Sequence, residues 1–298
     1  MPDAKTIPVL VNRAGGAAAS SANIERDVVR AFEKAGLNAS VELIDGGQCE
    51  VRCKALAKKG AQTIVVGGGD GTISAAATAL AGGKTTLAIL PLGTLNHFAR
   101  DLGVPLDLDE AAEIVANGKP RSVDLGEMNG RLFLNNSAIG LYPMMVVDRD
   151  SQRKRLGRSK RLAMLVASLR TLARFHHQRL SLTVNRRKAP LDTPLLFVGN
   201  NDYRTDISAA GARDSLEDGR LSVMVMRKKT RRGFLAAVIR ALLNRSRDDD
   251  MVRLDDVTEL KVISRRGQLH VALDGEVERI APPLRYRIRP KALRVITP

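Results

Sequence analysis

Short apolar segments alternate with longer helix-like segments along the first third of the chain. The apolar segments have the length and β-branched content of buried parallel strands, and they span residues 7–11, 39–44, 63–66 and 86–90. The segments between them have helical spacing or a high alanine content, and they span residues 23–36, 48–59 and 73–80. This alternation predicts a doubly wound parallel sheet, which binds ligands at the carboxyl ends of its strands.

The pattern changes at residues 121–126, after which strand-like segments predominate. These segments span residues 132–139, 180–184, 195–198, 221–226, 256–263, 270–273 and 285–288. Two helical segments interrupt them, at residues 158–175 and 231–243. A run of short strands with few helices indicates an antiparallel β-sandwich.

The two patterns predict two domains. The first is an α/β domain over residues 1–126, and the second is a β-rich domain over residues 127–288. Residues 292–296 alternate between apolar and basic or small side chains. This alternation is consistent with a last strand through which residues 289–298 rejoin the first domain.

A glycine-rich loop links the strand at residues 63–66 to the helix that follows. Its residues are Gly67, Gly68, Gly69, Asp70, Gly71 and Thr72. A strand–glycine–helix turn gathers backbone N–H groups and the positive end of the helix dipole around one point, which suits a phosphate. We expect Thr72 to be the helix N-cap, and Asp70 to favour a nucleotide that carries a cation. The alternative is a tight turn, because the loop matches neither common nucleotide fingerprint.

Polar and glycine residues also follow two other predicted strands. Asn12 ends the first strand, just before Gly15 and Gly16, and Gly93 and Thr94 follow the fourth. The carboxyl ends of parallel strands share one edge of a sheet. We therefore expect these residues to complete a single phosphate site.

Two acidic turns are candidates for the remaining chemistry. Residues 214–218 hold three carboxylates, which suits Mg²⁺, although a solvated hairpin turn at Asp218-Gly219 explains them equally. Asp274 and Glu276 flank Gly275 at a predicted strand end. A hairpin turn would look similar, but phosphoryl transfer needs a carboxylate that accepts the proton of the attacking hydroxyl.

Composition narrows the class of protein. The longest apolar run is six residues, far below the roughly 18 that span a bilayer. The N-terminal residues lack the apolar core of a signal peptide, so we expect a cytoplasmic protein. Cys49 and Cys53 are the two cysteines. A single pair makes a poor zinc site, and we interpret both as packing residues.

The chain is strongly basic, with a formal net charge of +16. Residues 149–188 contain thirteen Lys or Arg against one acid, and residues 227–247 contain eight against none. Both clusters interleave with apolar helical segments, which suits an anionic lipid surface or nucleic acid. A solvated basic face is the plain alternative for each.

Three motifs in order resemble one family. The segment P-L-G-T-L-N-H-F-A-R-D-L-G at residues 91–103 resembles, nearly residue for residue, a signature of bacterial lipid kinases of the diacylglycerol kinase superfamily. G-G-D-G-T at residues 68–72 and L-D-G-E at residues 273–276 resemble further motifs of that family. The resemblance covers almost the whole chain. Sphingosine kinases are related to this family, and NAD kinases are more distant relatives.

The resemblance implies an NAD-kinase-like fold for the first domain and a lipid kinase that uses ATP and Mg²⁺. The expected reaction transfers the γ-phosphate to diacylglycerol, giving phosphatidic acid, with a sphingoid base or ceramide as alternative acceptors. The chain departs from the family at Arg13, where proline is usual. It departs again at Ile44 and Asp45, near the place of a nucleotide-contacting threonine.

The resemblance also implies roles for individual residues. The nucleotide contacts are Asn12, Gly67, Gly68, Gly69, Asp70, Gly71, Thr72, Gly93 and Thr94. A structural Mg²⁺ is held by the carboxylate of Asp218 and the carbonyls of Ser215 and Arg220, and Asp124 lies near the metal and active site. Either Glu276 or Asp274 is the general base, and the sequence does not rank them.

Two other function classes remain as rivals. A soluble-substrate kinase of the NAD kinase type would share the glycine loop but not the signature at residues 91–103. A nucleic-acid-binding regulator would explain the charge, but nine aromatic residues leave few stacking platforms. We therefore expect a cytoplasmic enzyme, peripheral at the inner membrane face, that binds an anionic lipid surface and no nucleic acid. A homodimer is left open.

Overall fold

The chain folds into two compact units. The computed structural model describes residues 6–16, 23–143, 178–203, 213–227, 230–242 and 250–298. Its contacts divide the chain into two units, the first formed by residues 1–125, 215–217 and 289–298 and the second by residues 126–214 and 218–288. The helix expected at residues 158–175 and most of the basic cluster at residues 149–188 lie outside the described residues.

The first unit contains the doubly wound sheet. Its strands are β1 (Ile7–Asn12), β2 (Ala39–Ile44), β3 (Thr63–Gly68) and β4 (Thr86–Pro91), in the parallel order β2-β1-β3-β4. Its helices are α1 (Ile24–Lys34), α2 (Cys49–Lys58), α3 (Asp70–Leu80), α4 (His97–Asp101) and α5 (Leu108–Asn117). The helices pack in two pairs, α1 with α5 and α2 with α3. β4 is buried along its whole length, as expected of a strand covered on both faces.

Two local expectations for this unit need correction. The sequence analysis placed no helix at α5, although Asp107 caps it by accepting the N–H groups of Asp109 and Glu110 at 2.9 and 3.1 Å. Thr72 is not the N-cap of α3, because the helix begins at Asp70 and Gly69 occupies the cap position.

Cys49 and Cys53 are both buried in α2, and neither forms a disulfide. The Cys49 thiol donates to the carbonyl of Thr72 at 3.5 Å and so joins α2 to α3.

The second unit is antiparallel. One of its sheets contains β8 (Gln178–Val184), β9 (Arg187–Thr193), β13 (Glu259–Ser264) and the first residues of β16 (Leu284–Thr297). The other has the order β12-β11-β10-β7-β14-β15. Its strands are β7 (Asn136–Gly140), β10 (Leu195–Asn200), β11 (Leu221–Met226), β12 (Met251–Val257), β14 (Leu269–Leu273) and β15 (Glu276–Ile280).

Apolar side chains from both sheets form one core, which makes this unit a β-sandwich. Phe133, Val198, Val262 and Tyr286 are among its members. A hairpin of β5 (Lys119–Met128) and β6 (Arg131–Phe133) contributes Met128 and Phe133. The helix α6 (Arg231–Leu242) also belongs to the second unit.

Several of the strands that the sequence analysis missed lie at sheet edges. β5, β9 and β15 were not predicted as strands, and the segment predicted at residues 256–263 covers β13 and only the end of β12. The segment predicted at residues 132–139 covers parts of both β6 and β7. β9, β12 and β15 are terminal strands of their sheets. Edge strands need no apolar alternation on their open side and often carry charges, as Glu276-Val277-Glu278-Arg279 does in β15.

The last strand, β16, contributes to both units. Residues 284–287 pair with β13 in the second unit. Val295 pairs in parallel with Leu87 of β4 in the first unit. Among the described residues, no helix has the length and apolar content needed to cross a membrane.

Candidate active site

Three glycine-containing loops converge at the carboxyl ends of β1, β3 and β4. A Cβ on Gly93 would lie 2.3 Å from the Cα of Gly69, and a Cβ on Gly69 would lie 3.3 Å from the Cα of Gly93. A Cβ on Gly16, which has φ +32°, would lie 3.0 Å from the Cα of Gly93. Side chains would therefore fill or distort this region, which we call the glycine cradle.

The first turn of α3 supplies the amides of the glycine cradle. Gly69 has no side chain with which to cap the helix, so it provides no side-chain acceptor for the N–H groups of the first turn, which belong to Asp70, Gly71 and Thr72. The positive end of the α3 dipole adds to their attraction for an anion. Gly67 and Gly68 end β3 directly before this turn. The arrangement fits the phosphates of a nucleotide.

Asn12 and Thr72 fix the cradle rather than ending free at its surface. The Asn12 side-chain amide donates to the Thr72 hydroxyl at 2.8 Å, and its carbonyl oxygen accepts the N–H of Ala14 at 3.1 Å. These bonds tie the end of β1 to the first turn of α3. A Cβ on Gly68 would lie 2.7 Å from that of Thr72, which explains glycine there.

The two positions at which the chain departs from the family contact each other. The Nε of Arg13 lies 3.2 Å from a carboxylate oxygen of Asp45. Both side chains are more than half exposed, at 58% and 67%. Exposed pairs of this kind contribute at most about 1 kcal/mol, so the pair orients two loops without stabilising the fold strongly.

Asn96 holds the third loop of the cradle, a role that the sequence analysis did not assign to it. It precedes α4 in the left-handed conformation, with φ 52°. Its carbonyl oxygen accepts the N–H of Gly93 at 2.9 Å, and its amide donates to the carbonyls of Pro91 and Gly93 at 3.1 and 3.0 Å. The loop bearing Gly93 and the exposed Thr94 is thereby fixed.

The second unit contains the Asp274–Gly275–Glu276 turn between β14 and β15. Asp274 and Gly275 have φ values of 46° and 89°, which is typical of a two-residue hairpin turn. The Asp274 carboxylate accepts three backbone N–H groups, from Leu134 at 2.8 Å, Asn135 at 2.8 Å and Asn136 at 3.2 Å. Glu276 is the exposed first residue of β15. The two acids therefore differ in role: Asp274 anchors the backbone and Glu276 faces solvent.

The charged side chains near Glu276 lie on β15 itself and on β6. Arg131 donates to both carboxylate oxygens of Glu278, with one contact at 2.7 Å. This hydrogen-bonded pair lowers the pKa of Glu278 and raises that of Arg131, and the carboxylate of Glu276 adds to the second effect. Burial, and then the charge of Arg279, lower the pKa of His270 on β14.

The residues predicted to hold Mg²⁺ are divided between the units. Asp124 and Ser215 belong to the first unit, and Asp218 and Arg220 to the second. Backbone N–H groups already donate to the carboxylates, from Lys291 to Asp124 at 2.8 Å and from Asp202 to Asp218 at 3.3 Å. Asn201 donates to the Arg220 carbonyl at 3.1 Å. In the described part of the chain, no group of three or more Asp, Glu, His or Cys residues could hold a metal. This magnesium site therefore stays a prediction.

Sequence reasoning also missed a buried arginine in the second unit. Arg213 is 6% exposed, and it donates to the carbonyl of Leu134 at 2.7 Å. The sequence around Arg213 does not indicate burial, because an arginine next to an acidic turn is typical of a protein surface.

Comparison with known proteins agrees with this architecture. Residues 6–128 match the family described as the diacylglycerol kinase catalytic domain, and residues 145–297 match the YegS C-terminal NAD kinase beta sandwich-like domain. A diacylglycerol kinase of Bacillus subtilis (strain 168) is 28% identical over 260 residues, covering 86% of this chain and 84% of that protein.

Two further relatives cover nearly the whole chain. The "Probable lipid kinase YegS-like" of Pseudomonas syringae pv. tomato is 32% identical over 278 residues, covering 92% of this chain and 88% of that protein. A diacylglycerol kinase crystal structure from Bacillus anthracis str. Sterne superposes with a TM-score of 0.73 at 19% identity, covering 100% of this chain and 98% of the other. The structural likeness supports the fold alone. The sequence matches show that this chain belongs to the diacylglycerol kinase and YegS-like family of lipid kinases, enzymes that transfer phosphate to a hydroxyl group.

Proposed function

We propose that this protein transfers the γ-phosphate of Mg-ATP to the free hydroxyl of diacylglycerol, producing phosphatidic acid. The observation that carries the proposal is the approach of Gly69 and Gly93, which leaves a side-chain-free cradle at the start of α3. The Bacillus subtilis relative that bears the name diacylglycerol kinase supports the choice of acceptor.

The first unit binds the nucleotide in this proposal. The amides of Gly69, Asp70, Gly71 and Thr72 donate to phosphate oxygens, and Gly93 and Thr94 contribute from the loop after β4. Asn12 keeps Thr72 and the β1 loop in place. Asp70 is half-buried at the cradle, where its carboxylate suits a cation bound to the phosphates. Mg²⁺, when bound, neutralises charge on the phosphates.

The second unit supplies the proton acceptor. Asp274 is the less suitable of the two acids, because its carboxylate oxygens are already occupied by three backbone N–H groups. Glu276 is exposed and lies next to that fixed turn. We therefore assign the general base to Glu276, which accepts the proton of the lipid hydroxyl as that oxygen attacks the γ-phosphorus. Asp274 holds the turn.

A phosphorylation assay tests the choice of acceptor. Radiolabelled ATP is incubated with vesicles containing diacylglycerol, ceramide or sphingosine, and with soluble NAD. The expected result is labelled phosphatidic acid, with Asp70→Asn strongly impaired. If ceramide or sphingosine is labelled instead, that lipid is the substrate and diacylglycerol is not. Labelling of NAD alone would overturn the proposal.

We also propose that basic residues bring the enzyme to an anionic membrane surface. Arg231, Arg232 and Leu235 are exposed on α6, within the cluster at residues 227–247. Each Lys or Arg near such a surface contributes about 1 kcal/mol. Five engaged residues would thus hold the protein reversibly and in a salt-dependent way.

A paired substitution tests this membrane proposal. Arg231→Gln combined with Arg232→Gln should weaken binding to phosphatidylserine vesicles about 30-fold. Arg265→Gln combined with Arg266→Gln removes the same charge outside both clusters and should change binding little. Co-sedimentation across a salt series measures both. Equal weakening by the two pairs, or binding that is insensitive to salt, would contradict the proposal.

A further inference from the structure

Arg213 carries a charge that is almost completely removed from solvent. Its residue exposure is 6%, and a buried charge is costly unless hydrogen bonds compensate it. Its Nη1 donates to the carbonyls of Leu134 and Asn200 at 2.7 and 3.1 Å, and its Nη2 donates to the side-chain oxygen of Asn135 at 3.0 Å. The guanidinium also lies over the ring of Tyr203, 5.4 Å from its centroid.

The backbone that Arg213 contacts is the one that Asp274 holds from its other side. Residues 134–136 direct a carbonyl and an amide side chain to Arg213, while their three N–H groups donate to the Asp274 carboxylate. The segment is thus fixed between a buried cation and a carboxylate. Asn200 adds a side-chain bond to the Leu134 carbonyl at 2.9 Å.

The position of Glu276 depends on this arrangement. Asp274 has φ 46° and Gly275 has φ 89°, so the turn before Glu276 uses a backbone conformation that a non-glycine residue adopts at a cost. The contacts of Asp274 with residues 134–136 maintain that conformation. The N–H of Asp274 donates in turn to the carbonyl of Asn136 at 2.9 Å. A chain of direct hydrogen bonds therefore runs from Arg213 through residues 134–136 to the turn.

We propose that Arg213 is a positioning residue for phosphoryl transfer, acting through residues 134–136 and Asp274 to hold Glu276 where it meets the lipid hydroxyl. This proposal rests on the proposed function, because it assigns the base to Glu276. A planar guanidinium reaches acceptors on two segments at once, whereas a lysine ammonium is a single point charge. The residue is therefore not replaceable by lysine even though the charge is kept.

The first test is kinetic. Arg213→Lys should lower kcat about tenfold or more, because a misplaced catalytic group loses rate steeply. The KM for ATP should stay within about twofold of the wild-type value, because the glycine cradle belongs to the other unit. Arg287→Lys is the control: Arg287 donates to Glu127 at 2.8 and 3.0 Å in the same unit. This variant should keep the wild-type kcat.

A double-mutant cycle separates positioning from general loss of structure. In a Glu276→Gln background, Arg213→Lys should lower kcat by less than about twofold, because the residue through which it acts is already disabled. Free guanidinium at millimolar concentration should restore part of the activity of Arg213→Ala. If Arg213→Lys reduces kcat by the same factor with and without Glu276, or does not reduce it, the proposal is wrong.

A second measurement needs no activity. Amide hydrogen exchange of residues 134–136 and of the turn at residues 274–276 should be about tenfold faster in Arg213→Lys than in the wild type, and unchanged in Arg287→Lys. Unchanged exchange in both segments of Arg213→Lys would overturn the positioning role. The two proposals can also fail separately. If the wild-type protein phosphorylates no lipid alcohol and Arg213→Lys still exchanges faster, the proposed function is wrong but the role of Arg213 in holding the turn is supported.

Discussion

The glycine cradle of the first unit and the Asp274–Glu276 turn of the second differ in what maintains their shape. In the cradle, close approach of backbone atoms excludes side chains, as the 2.3 Å from a Cβ on Gly93 to the Cα of Gly69 shows. At the turn, a carboxylate accepts three N–H groups from residues 138 to 140 positions away in sequence.

This difference indicates how each region should respond to substitution. A backbone site is damaged by any added atom, whether or not it is polar. A site held by side-chain hydrogen bonds is damaged by loss of a charge or of bonding geometry, even when the volume is kept. The following substitutions test that distinction in order of expected effect.

Replacing Glu276 by Gln should have the largest effect. The variant keeps the volume of the side chain but loses the carboxylate that we propose as proton acceptor, so kcat should fall about 10²–10⁴-fold. The affinity for ATP should be unchanged, because the cradle is intact. Glu278→Gln, two residues further along β15, is the matched control and should retain most activity. Similar losses in both variants would show that the charge of β15 matters rather than a specific base.

Replacing Gly93 by Ala should act on nucleotide binding instead. The new Cβ displaces the Gly69 backbone, and each lost hydrogen bond to a charged phosphate costs about 1.5–3 kcal/mol. ATP affinity measured by calorimetry should therefore fall about tenfold or more. Gly47→Ala is the control, because a Cβ there meets nothing within 4 Å. Undiminished binding by Gly93→Ala would place the phosphates elsewhere.

Replacing Asp274 by Asn should reduce stability as well as kcat. An amide offers one acceptor oxygen in place of two, so at least one of the three N–H groups loses its partner. We expect the free energy of unfolding to fall by about 1–3 kcal/mol in denaturant titration. Asp255→Asn, whose side chain is 82% exposed, should change stability by less than about 0.5 kcal/mol. A stable Asp274→Asn would contradict the anchoring role.

Replacing Arg131 by Leu should have the smallest effect, which is present at neutral pH and disappears at acid pH. The folded-state pKa of Glu278 is lowered chiefly by its hydrogen bond with Arg131, so the pair stabilises the fold above the unfolded pKa of Glu278. That contribution is lost as the pH falls through the folded-state pKa. The side chains are nearly half exposed, at 45% and 48%, which limits the effect to about 1 kcal/mol. The melting temperatures of the wild type and of Arg131→Leu should therefore converge as the pH falls from 7 to 3. A difference that stays constant over this range would contradict a role for the Glu278 pKa.

Much of the first unit was predictable because its signals are local. Its four parallel strands were located from short apolar runs, and β2 has its predicted bounds. The glycine loops follow from steric limits that act between neighbouring residues. Thr72 was misassigned as a cap because its hydroxyl bonds to Asn12, 60 residues earlier in the chain, and a propensity for caps says nothing about such a partner.

The sequence by itself determined the fold class, the glycine turn between β3 and α3, and the pair of acids at the end of β14. These depend on hydrophobic periodicity, on glycine and on short motifs. Only the tertiary structure decided that Asp274 anchors while Glu276 is exposed, that Asn96 clamps the Gly93 loop, and that Arg213 is buried. The physical reason is that the role of a polar side chain depends on the groups that fold against it, and for Asp274 and Arg213 those groups lie far away in the sequence.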